Sequence, residues 1–380
     1  MHEHKHNQCK RKVKHRKNVM KLIIFCITVG ISLMFIYYQN LRKEIDARQK
    51  WLETVLTGEK KWILENQGPE GEFYMNGSKA GDVNPYFACM AALGLLAETK
   101  NCPITETEKK AVGRYLDWHT GILLETDGKM GIYRKESGKL IYKEKADSED
   151  GYLGMYLFLM GKYLEKTEST DLPEYWKKGI SLALKKIQSL MQDGITQVSE
   201  ENTTAYLMDN LEVWKGLHEL ELAGLEDTQA ISEMRKKIQA QIENIFWDDA
   251  NQRWRIIENS DLYHQKEFYP DGVAQIYPLI YEFPVKEKKK QKILYKQFTE
   301  RFQWQKLTKK RNGFLWAMTG MAAAQMGDIN NLLEMIRNYE AEYCENRKYP
   351  LYTGEAGWIC MECEKLYSLY ERKIKTGFLV

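Results

Sequence analysis

The sequence contains little cysteine, proline and histidine, and these shortages exclude several classes of protein. Seven Cys in 380 residues are too few and too scattered to predict a disulfide framework. Cys360 and Cys363 have CxxC spacing, but the sequence has no second such pair to complete a four-cysteine zinc site. With only eight Pro and no low-complexity stretch, the chain after its N-terminal segment is expected to form one domain.

Histidine is rare in the part of the chain that follows the N-terminal tail, where a catalytic site would lie. Beyond the N-terminal tail the sequence has only His119, His218 and His264, which are well separated. The sequence therefore has too few histidines, too far apart, to predict a nucleophilic triad or a histidine-rich metal centre. The sequence also lacks a glycine-rich phosphate loop, an HExxH motif and an aspartate-rich diphosphate motif. We expect neither a cofactor nor a bound metal.

The net charge of +3 hides an uneven distribution. Residues 1–21 hold eight Lys or Arg and one acidic residue, so the rest of the chain has a net charge of −4. A nucleic-acid-binding protein needs its basic residues clustered on the folded part. No nucleic acid partner is therefore expected, and the basic tail needs another explanation.

An apolar run over residues 22–38 follows the basic tail directly and contains no charged residue. Its length is just sufficient to cross a bilayer. Bulky Tyr37 and Tyr38 end the run, whereas a cleaved signal peptide would end in small residues. We predict a transmembrane signal anchor at 22–38, with tail 1–21 in the cytoplasm and domain 39–380 outside it.

From residue 42 onward the sequence predicts twelve helices of two alternating kinds. Segments such as 172–192 and 285–304 carry an apolar stripe and a charged face, which is typical of surface helices. Segments such as 150–166 and 271–282 are apolar nearly all round, which is typical of buried helices. The alternation predicts an all-α fold, the (α/α)6 toroid of six helical hairpins. We found no residue signature repeating at a fixed period, which argues against a helical solenoid.

The longest connections precede the predicted inner helices, so they should gather at one mouth of the ring. One of them, residues 130–143, predicts a short β-hairpin that turns at Ser137 and Gly138. Long loops at one end of a rigid scaffold commonly carry function. The candidate substrate-binding residues in these loops and first helical turns are Glu70, Asn84, Tyr86, Asp147, Tyr152, Tyr206, Asp209, Asn210, Tyr269, Trp316 and Trp358. The same segments contain Glu212 and Glu355.

Carboxylates in these positions have two interpretations. Asp147 and Asp271, taken singly, could simply cap helices. Asp209 and Glu212 lie inside a helix expected to line the pore, and clustered carboxylates raise one another's pKa values. Paired carboxylates beside aromatic side chains suit glycoside cleavage, where one carboxyl group protonates the leaving oxygen and another acts on water or sugar.

Two motifs resemble those of the six-hairpin glycosidases, and specifically glycoside hydrolase family 8. They are Asp147-Ser-Glu-Asp-Gly-Tyr152 and Phe268-Tyr-Pro-Asp271. The resemblance implies that Asp150 contacts the sugar at the cleavage point and that Asp271 is the catalytic base. The Ser-Glu-Gly turn that carries the general acid in that family is absent here, where the sequence reads Gly81-Asp-Val-Asn-Pro-Tyr86. Glu72, or alternatively Glu70, is the assigned acid.

These features predict a membrane-anchored glycosidase that acts outside the cytoplasm on an envelope or secreted polysaccharide, with inversion of configuration. Two alternatives stay open at this point. The toroid could bind a glycan without cutting it, or it could be a structural partner in an envelope or exopolysaccharide complex. The predicted partners are a polysaccharide or oligosaccharide substrate and the membrane, and the sequence identifies no protein partner.

Overall fold

The computed structural model describes residues 2–77, 81–136, 139–168, 172–225, 228–264, 266–307, 311 and 313–376. The predicted hairpin turn at Ser137 and Gly138 lies outside these residues. The helices of the described chain are α1 (His2–Glu65), α2 (Pro85–Leu95), α3 (Glu106–Glu125), α4 (Glu149–Thr167), α5 (Glu174–Leu190), α6 (Leu207–Leu222), α7 (Thr228–Phe246), α8 (Val273–Ile280), α9 (Lys288–Phe302), α10 (Thr319–Met326), α11 (Ile329–Tyr339) and α12 (Thr353–Thr376).

Seven short strands interrupt the helices in the part of the chain that the structure describes. They are β1 (Asp82–Val83), β2 (Gly131–Glu136), β3 (Lys139–Lys145), β4 (Met191–Gln192), β5 (Ile195–Thr196), β6 (Trp247–Asp248) and β7 (Arg253–Trp254). Among the described residues, β1, β2 and β3 form one antiparallel sheet, and β4–β5 and β6–β7 form two small hairpins. Short turns with π-helical hydrogen bonding cover Phe268–Gly272 and Glu340–Cys344, and a 3-10 turn covers Trp304–Lys306.

The chain divides into two compact units. The larger one, Glu53–Leu369, contains the helical ring. The smaller one combines the chain before Glu53 with the end of α12 from Tyr370. It includes the apolar run, and the most apolar stretch of the helical segment Ile23–Glu65 has a mean hydropathy of 1.6 and is not buried. This segment is long and apolar enough to cross a membrane, so it is a candidate membrane anchor.

The six even-numbered helices form the inner ring. Packing connects α2 to α4, α4 to α6, α6 to α8 and α8 to α10. Gly320 of α10 lies against Glu362 of α12, and Gly94 of α2 lies against Gly357 of α12, which closes the ring. Every residue of α8 is buried, whereas α5 buries only one stripe, including Trp176 and Ile187. The predicted (α/α)6 toroid and its alternation of buried and amphipathic helices are confirmed.

Two helices begin more than about five residues from their predicted starts. The first helix was expected to start at residue 42, but α1 begins at His2 and runs without a break through the apolar run. The sequence also predicts a helix from residue 313, but α10 begins at Thr319, because Trp316 adopts a left-handed backbone with a φ of 60°. A bulky residue rarely takes that conformation, so the turn before α10 is a special feature of the mouth.

Glycines allow two inner helices to approach backbone to backbone. A Cβ at Gly216 of α6 would lie 2.2 Å from the carbonyl oxygen of Gly154 in α4. A Cβ at Gly154 would in turn lie 2.7 Å from the backbone nitrogen of Val213. Any side chain at either position would force the two helices apart. The α4–α6 contact therefore depends on these glycines.

We predict that Gly216→Ala lowers the free energy of unfolding by about 1–3 kcal/mol, because overpacking strains a tightly packed core. The control is Gly58→Ala in α1, where an added Cβ meets nothing within 4 Å. That change should stabilise the protein by about 0.5–1 kcal/mol through helix propensity. Chemical denaturation of the detergent-solubilised chain, followed by circular dichroism, measures both. Equal stability of the two variants would contradict the close packing.

Candidate active site

Glu212 of α6 lies at the centre of the ring, and three hydroxyl groups converge on it. Its side chain is buried, with 3% exposed. Its Oε1 accepts hydrogen bonds from the hydroxyls of Tyr277 at 2.6 Å, Tyr281 at 3.3 Å and Tyr86. Tyr86 comes from α2 and the other two from α8, so one carboxylate connects three inner helices. Burial raises the pKa of Glu212 to about 7, although the hydroxyl donors oppose that rise.

A cavity of about 350 Å³ opens above Glu212. Its volume is at the lower end of the range for small-molecule sites. Eight of the predicted binding residues line it, namely Asn84, Tyr86, Asp147, Tyr152, Asp209, Tyr269, Trp316 and Trp358. Glu212, Tyr277 and Glu355 line it as well. The mouth of the ring therefore contains a concave site rich in carboxylates and aromatic rings.

Asp209 lies one turn before Glu212 on the same face of α6, nearer the mouth. Its side chain is half-buried and borders the cavity. Burial raises the pKa of Asp209 well above its usual range, and the neighbouring Asp150 and Glu212 raise it further. A raised pKa favours the protonated carboxyl group, which is the form needed to donate a proton.

Glu355 lies on the opposite side of the cavity. It belongs to the first turn of α12, and α12 is three positions away from α6 in the ring of six. Its carboxylate accepts backbone N–H bonds from Leu315 at 3.1 Å, Trp316 at 3.0 Å and Ala317 at 2.8 Å. A carboxylate offers about four acceptor positions, so one remains for water or substrate. Burial raises the pKa of Glu355 to about 7, and the three N–H bonds oppose that rise.

Aromatic rings form one wall of the cavity. The ring of Trp316 lies 4.6 Å from that of Tyr269, and Phe314 stacks on Phe87 at 5.3 Å. The indole N–H of Trp316 donates to the carbonyl oxygen of Arg311 at 2.8 Å, which holds the ring in place. The same Glu355 that faces the cavity also holds the left-handed turn at Trp316. Flat aromatic surfaces of this kind can stack on sugar rings.

Asn84 and Asp150 have structural partners as well as places near the cavity. Asn84 caps α2 by accepting from the N–H of Tyr86 at 2.9 Å, and it also accepts from the Tyr152 hydroxyl at 3.0 Å. Asp150 does not line the cavity. Its carboxylate accepts from Thr196 Oγ1 at 2.6 Å and from the Ser148 hydroxyl at 2.8 Å. Burial raises the pKa of Asp150 to about 6.

Asn210 also lies beside the cavity rather than in it. Its Oδ1 accepts from the backbone N–H of Thr196 at 2.7 Å, and its amide donates to the Thr196 carbonyl at 2.9 Å. Together with Asp150 it fixes strand β5 against the start of α6. These two predicted residues support the wall that carries Asp209.

Glu72 and Glu70 are not brought to the cavity. Glu72 is fully buried, and its oxygens accept from the Tyr74 hydroxyl at 2.7 Å and the Glu70 N–H at 3.0 Å, with Lys135 Nζ 3.6 Å away. Glu70 is exposed and does not line the cavity. The sequence assignment of Glu72 as proton donor is not supported by this placement, since its partners hold it inside the protein.

Asp271 and Tyr206 lie in an adjoining groove rather than in the cavity. Asp271 is 2% exposed, and its Oδ1 accepts from the backbone N–H of His264 at 2.6 Å. That bond fixes the end of the loop before α8. Its role as catalytic base, which the family 8 resemblance implies, stays a prediction.

Sequence reasoning missed the two tyrosines that hold Glu212. Tyr277 and Tyr281 are four residues apart, so both hydroxyls point to the same side of α8. This spacing was a usable signal, but it does not identify the carboxylate that the hydroxyls meet. Glu355 was noted among the mouth carboxylates and was not selected, because its local sequence does not show that its side chain turns into the cavity.

No protein-family model matches the sequence, and no curated protein matches it. Solved structures do share its fold. A glycosidase variant superposes with a TM-score of 0.61 at 13% identity, covering 86% of this chain and 98% of that one. An inactive α-1,6-mannanase, GH76A of Salegentibacter sp. HEL1_6, bound to α-1,6-mannotriose, gives 0.52 at 10% identity, covering 84% and 99%. A D-mannose isomerase gives 0.56 at 12% identity, covering 84% and 97%.

These similarities show the six-hairpin (α/α)6 fold of the chain. None of the three is named as a family 8 enzyme, so the resemblance to that family stays a prediction. A glycosidase and an isomerase share the fold, and a fold does not fix a reaction. The chemistry of this chain must be argued from its own cavity.

The raised pKa of Glu212 predicts a dependence of stability on pH. Its ordinary value of 4.5 rises to about 7 in the folded protein, so its contribution to stability is complete below pH 4.5 and is lost as pH rises through 7. Glu212→Gln should remove a loss on the order of 1–3 kcal/mol between pH 5 and 8. Urea unfolding at both pH values measures this.

The matched control is Glu334→Gln on the exposed face of α11. It should leave the pH dependence of the unfolding free energy unchanged. If Glu212→Gln also leaves it unchanged, Glu212 does not bind the additional proton in the folded state.

Proposed function

We propose that the ring domain is a glycoside hydrolase, with Asp209 as general acid and Glu355 as general base. One observation carries the proposal. Asp209 of α6, whose pKa is raised, and Glu355 of α12 border the same aromatic cavity from opposite sides of the ring. Glycoside cleavage needs this pair of groups, and it needs them on opposite faces of the sugar when configuration inverts.

The proposed reaction involves two proton transfers, one from Asp209 and one to Glu355. The carboxyl O–H of Asp209 protonates the glycosidic oxygen as the bond from the anomeric carbon to that oxygen breaks. Glu355 accepts a proton from a water molecule whose oxygen attacks the anomeric carbon from the other face. After product release, Glu355 returns a proton to solvent and Asp209 regains one. Burial, and after it the neighbouring Asp150 and Glu212, raise the pKa of Asp209, which favours its protonated form beforehand.

The substrate in this proposal is an oligosaccharide or polysaccharide outside the cytoplasm. The solved mannanase that shares the fold binds α-1,6-mannotriose, so α-1,6-linked manno-oligosaccharides belong in the first test panel. Gluco-oligosaccharides and chito-oligosaccharides of both anomeric configurations complete it. The Trp316 and Tyr269 rings, 4.6 Å apart, would stack on a sugar ring.

The location outside the cytoplasm follows from the proposed topology. Residues 1–21 would remain in the cytoplasm, since basic segments tend to stay on that side, and residues 22–38 would cross the membrane. Protease added to intact cells should then digest the ring domain and spare an epitope tag placed before residue 1. Digestion of the tag instead would reverse the orientation.

We predict that Asp209→Asn and Glu355→Gln each lower kcat for a responsive glycan by about 10²–10⁴-fold. Asp209→Asn should lose much less activity on a dinitrophenyl glycoside, because that leaving group needs no proton. Asp82→Asn is the control, since this carboxylate of β1 pairs with Arg134 and Lys143 outside the cavity. Reducing-end release measures the rates, and NMR of the first product anomer should show inversion.

The pH profile of kcat/KM should be bell-shaped. Activity should fall as pH drops below about 7, because Glu355 takes up a proton and can no longer act as base. Activity should also fall above the raised pKa of Asp209, because the acid is then ionised. If Asp271→Asn abolishes cleavage while Glu355→Gln does not, the sequence assignment is right and this one is wrong.

A further inference from the structure

A second hollow continues from the cavity along the outside of the mouth. This groove has a volume of about 470 Å³ and lies between the start of α6 and the loop that precedes α8. It shares five lining residues with the cavity, namely Asp147, Ser148, Met208, Asp209 and Tyr269. Asp209 therefore lies where the two spaces meet, and one ligand could occupy both.

The groove wall is held in place by backbone hydrogen bonds. The N–H of Leu207 donates to the carbonyl of Ile256 at 2.9 Å, and the N–H of Glu258 donates to that of Ala205 at 3.0 Å. The bond from His264 to Asp271 fixes the other end of the loop. This hydrogen bond holds the Asp271 side chain inside the loop, so Asp271 is buried although it lines the groove. The groove is thus a built surface that can bind with little ordering cost.

Toward the inside of the protein the cavity ends at a floor of buried side chains, whereas the groove reaches the protein surface. The floor of the cavity is occupied by Glu212, Tyr277 and Trp358, all of them buried, so a ligand chain cannot continue past them. The groove is open, since Leu262 on its rim is 73% exposed and Tyr269 is 38% exposed. A long chain with one end against this floor can therefore extend along the groove.

The lining has a charge of one sign. Among the described residues, Asp147, Glu267 and Glu355 line the two spaces in addition to the proposed acid Asp209, and no Lys or Arg lines either space. An anionic sugar would meet like charges without a compensating cation, which opposes its binding. An uncharged glycan meets no such penalty.

We propose, building on the function proposed above, that the substrate is an uncharged glycan bound end-on. Its terminal unit lies against the floor of the cavity, and the rest of the chain lies in the groove as leaving group, with the cleaved bond beside Asp209. The enzyme then removes units from one end of the chain. The released terminal sugar leaves from the cavity, and the shortened chain withdraws along the groove.

Product analysis with the detergent-solubilised full-length protein tests the direction of cleavage. Oligosaccharides of the responsive linkage, labelled at the reducing end, should shorten stepwise from the other end, and a blocked non-reducing end should prevent cleavage. Internal fragments at early times would overturn the proposal. So would faster cleavage of a uronic acid polymer than of a neutral one.

The groove itself is tested by Leu262→Ala. This change should lower the ratio of kcat/KM for the pentasaccharide to that for the aryl monosaccharide by about five- to ten-fold, because the aryl glycoside barely reaches the groove. Leu222→Ala is the matched control, since Leu222 is also exposed but lies at the far end of α6. An unchanged ratio for Leu262→Ala would overturn the proposed role of the groove.

A binding measurement separates this inference from the proposed function. Calorimetric titration of the wild-type chain with mono- to pentasaccharides of the panel should show affinity rising with length, and Leu262→Ala should remove that rise. If affinity rises with oligosaccharide length but no cleavage occurs, the hydrolase proposal is wrong and the end-on binding site stands. If cleavage occurs but the affinity for the oligosaccharide does not depend on its length, the end-on site is wrong and the hydrolase proposal stands.

Discussion

A single buried carboxylate, that of Glu212, organises the centre of this ring. Burying a charged or polar group is costly unless hydrogen bonds compensate it, and here three tyrosine hydroxyls from α2 and α8 do so. The same contacts close the bottom of the cavity. They also hold Glu212 one helical turn below Asp209. Burial is the main cause of the raised pKa of Asp209, and the neighbouring Asp150 and Glu212 add to it.

The mouth depends on a second carboxylate. Glu355 binds three consecutive backbone N–H groups, and these bonds hold Trp316 in a left-handed conformation that a bulky residue rarely adopts. The turn displaces the start of α10 and places the indole ring against Tyr269. One residue therefore supports the aromatic wall and faces the cavity. The closely packed inner helices below support this strained turn. The glycine contact between α4 and α6 holds two of these helices together.

Much of the fold could be predicted from the chain alone, because the two kinds of helix bury different amounts of surface. The apolar segment that became α8 and the striped segment that became α5 differ in composition along their whole length, so their places in the inner and outer rings follow. Eight of eleven predicted binding residues reach the cavity for a related reason, since the turns before the inner helices all open on the same mouth. Asn210, Glu70 and Tyr206 do not reach it, because sequence position does not show which way a side chain points.

By itself, the sequence determined the helix count, the alternation of the rings, the apolar segment that is a candidate membrane anchor, and the supply of carboxylates and aromatics. Local composition and spacing suffice for these features. Only the tertiary structure decided which carboxylates face each other. Glu72 is held inside by Tyr74, whereas Asp209 and Glu355, 146 positions apart in the printed numbering, border one cavity. Such pairing depends on ring closure between α12 and α2, and contacts between distant segments leave no periodic signal in the chain.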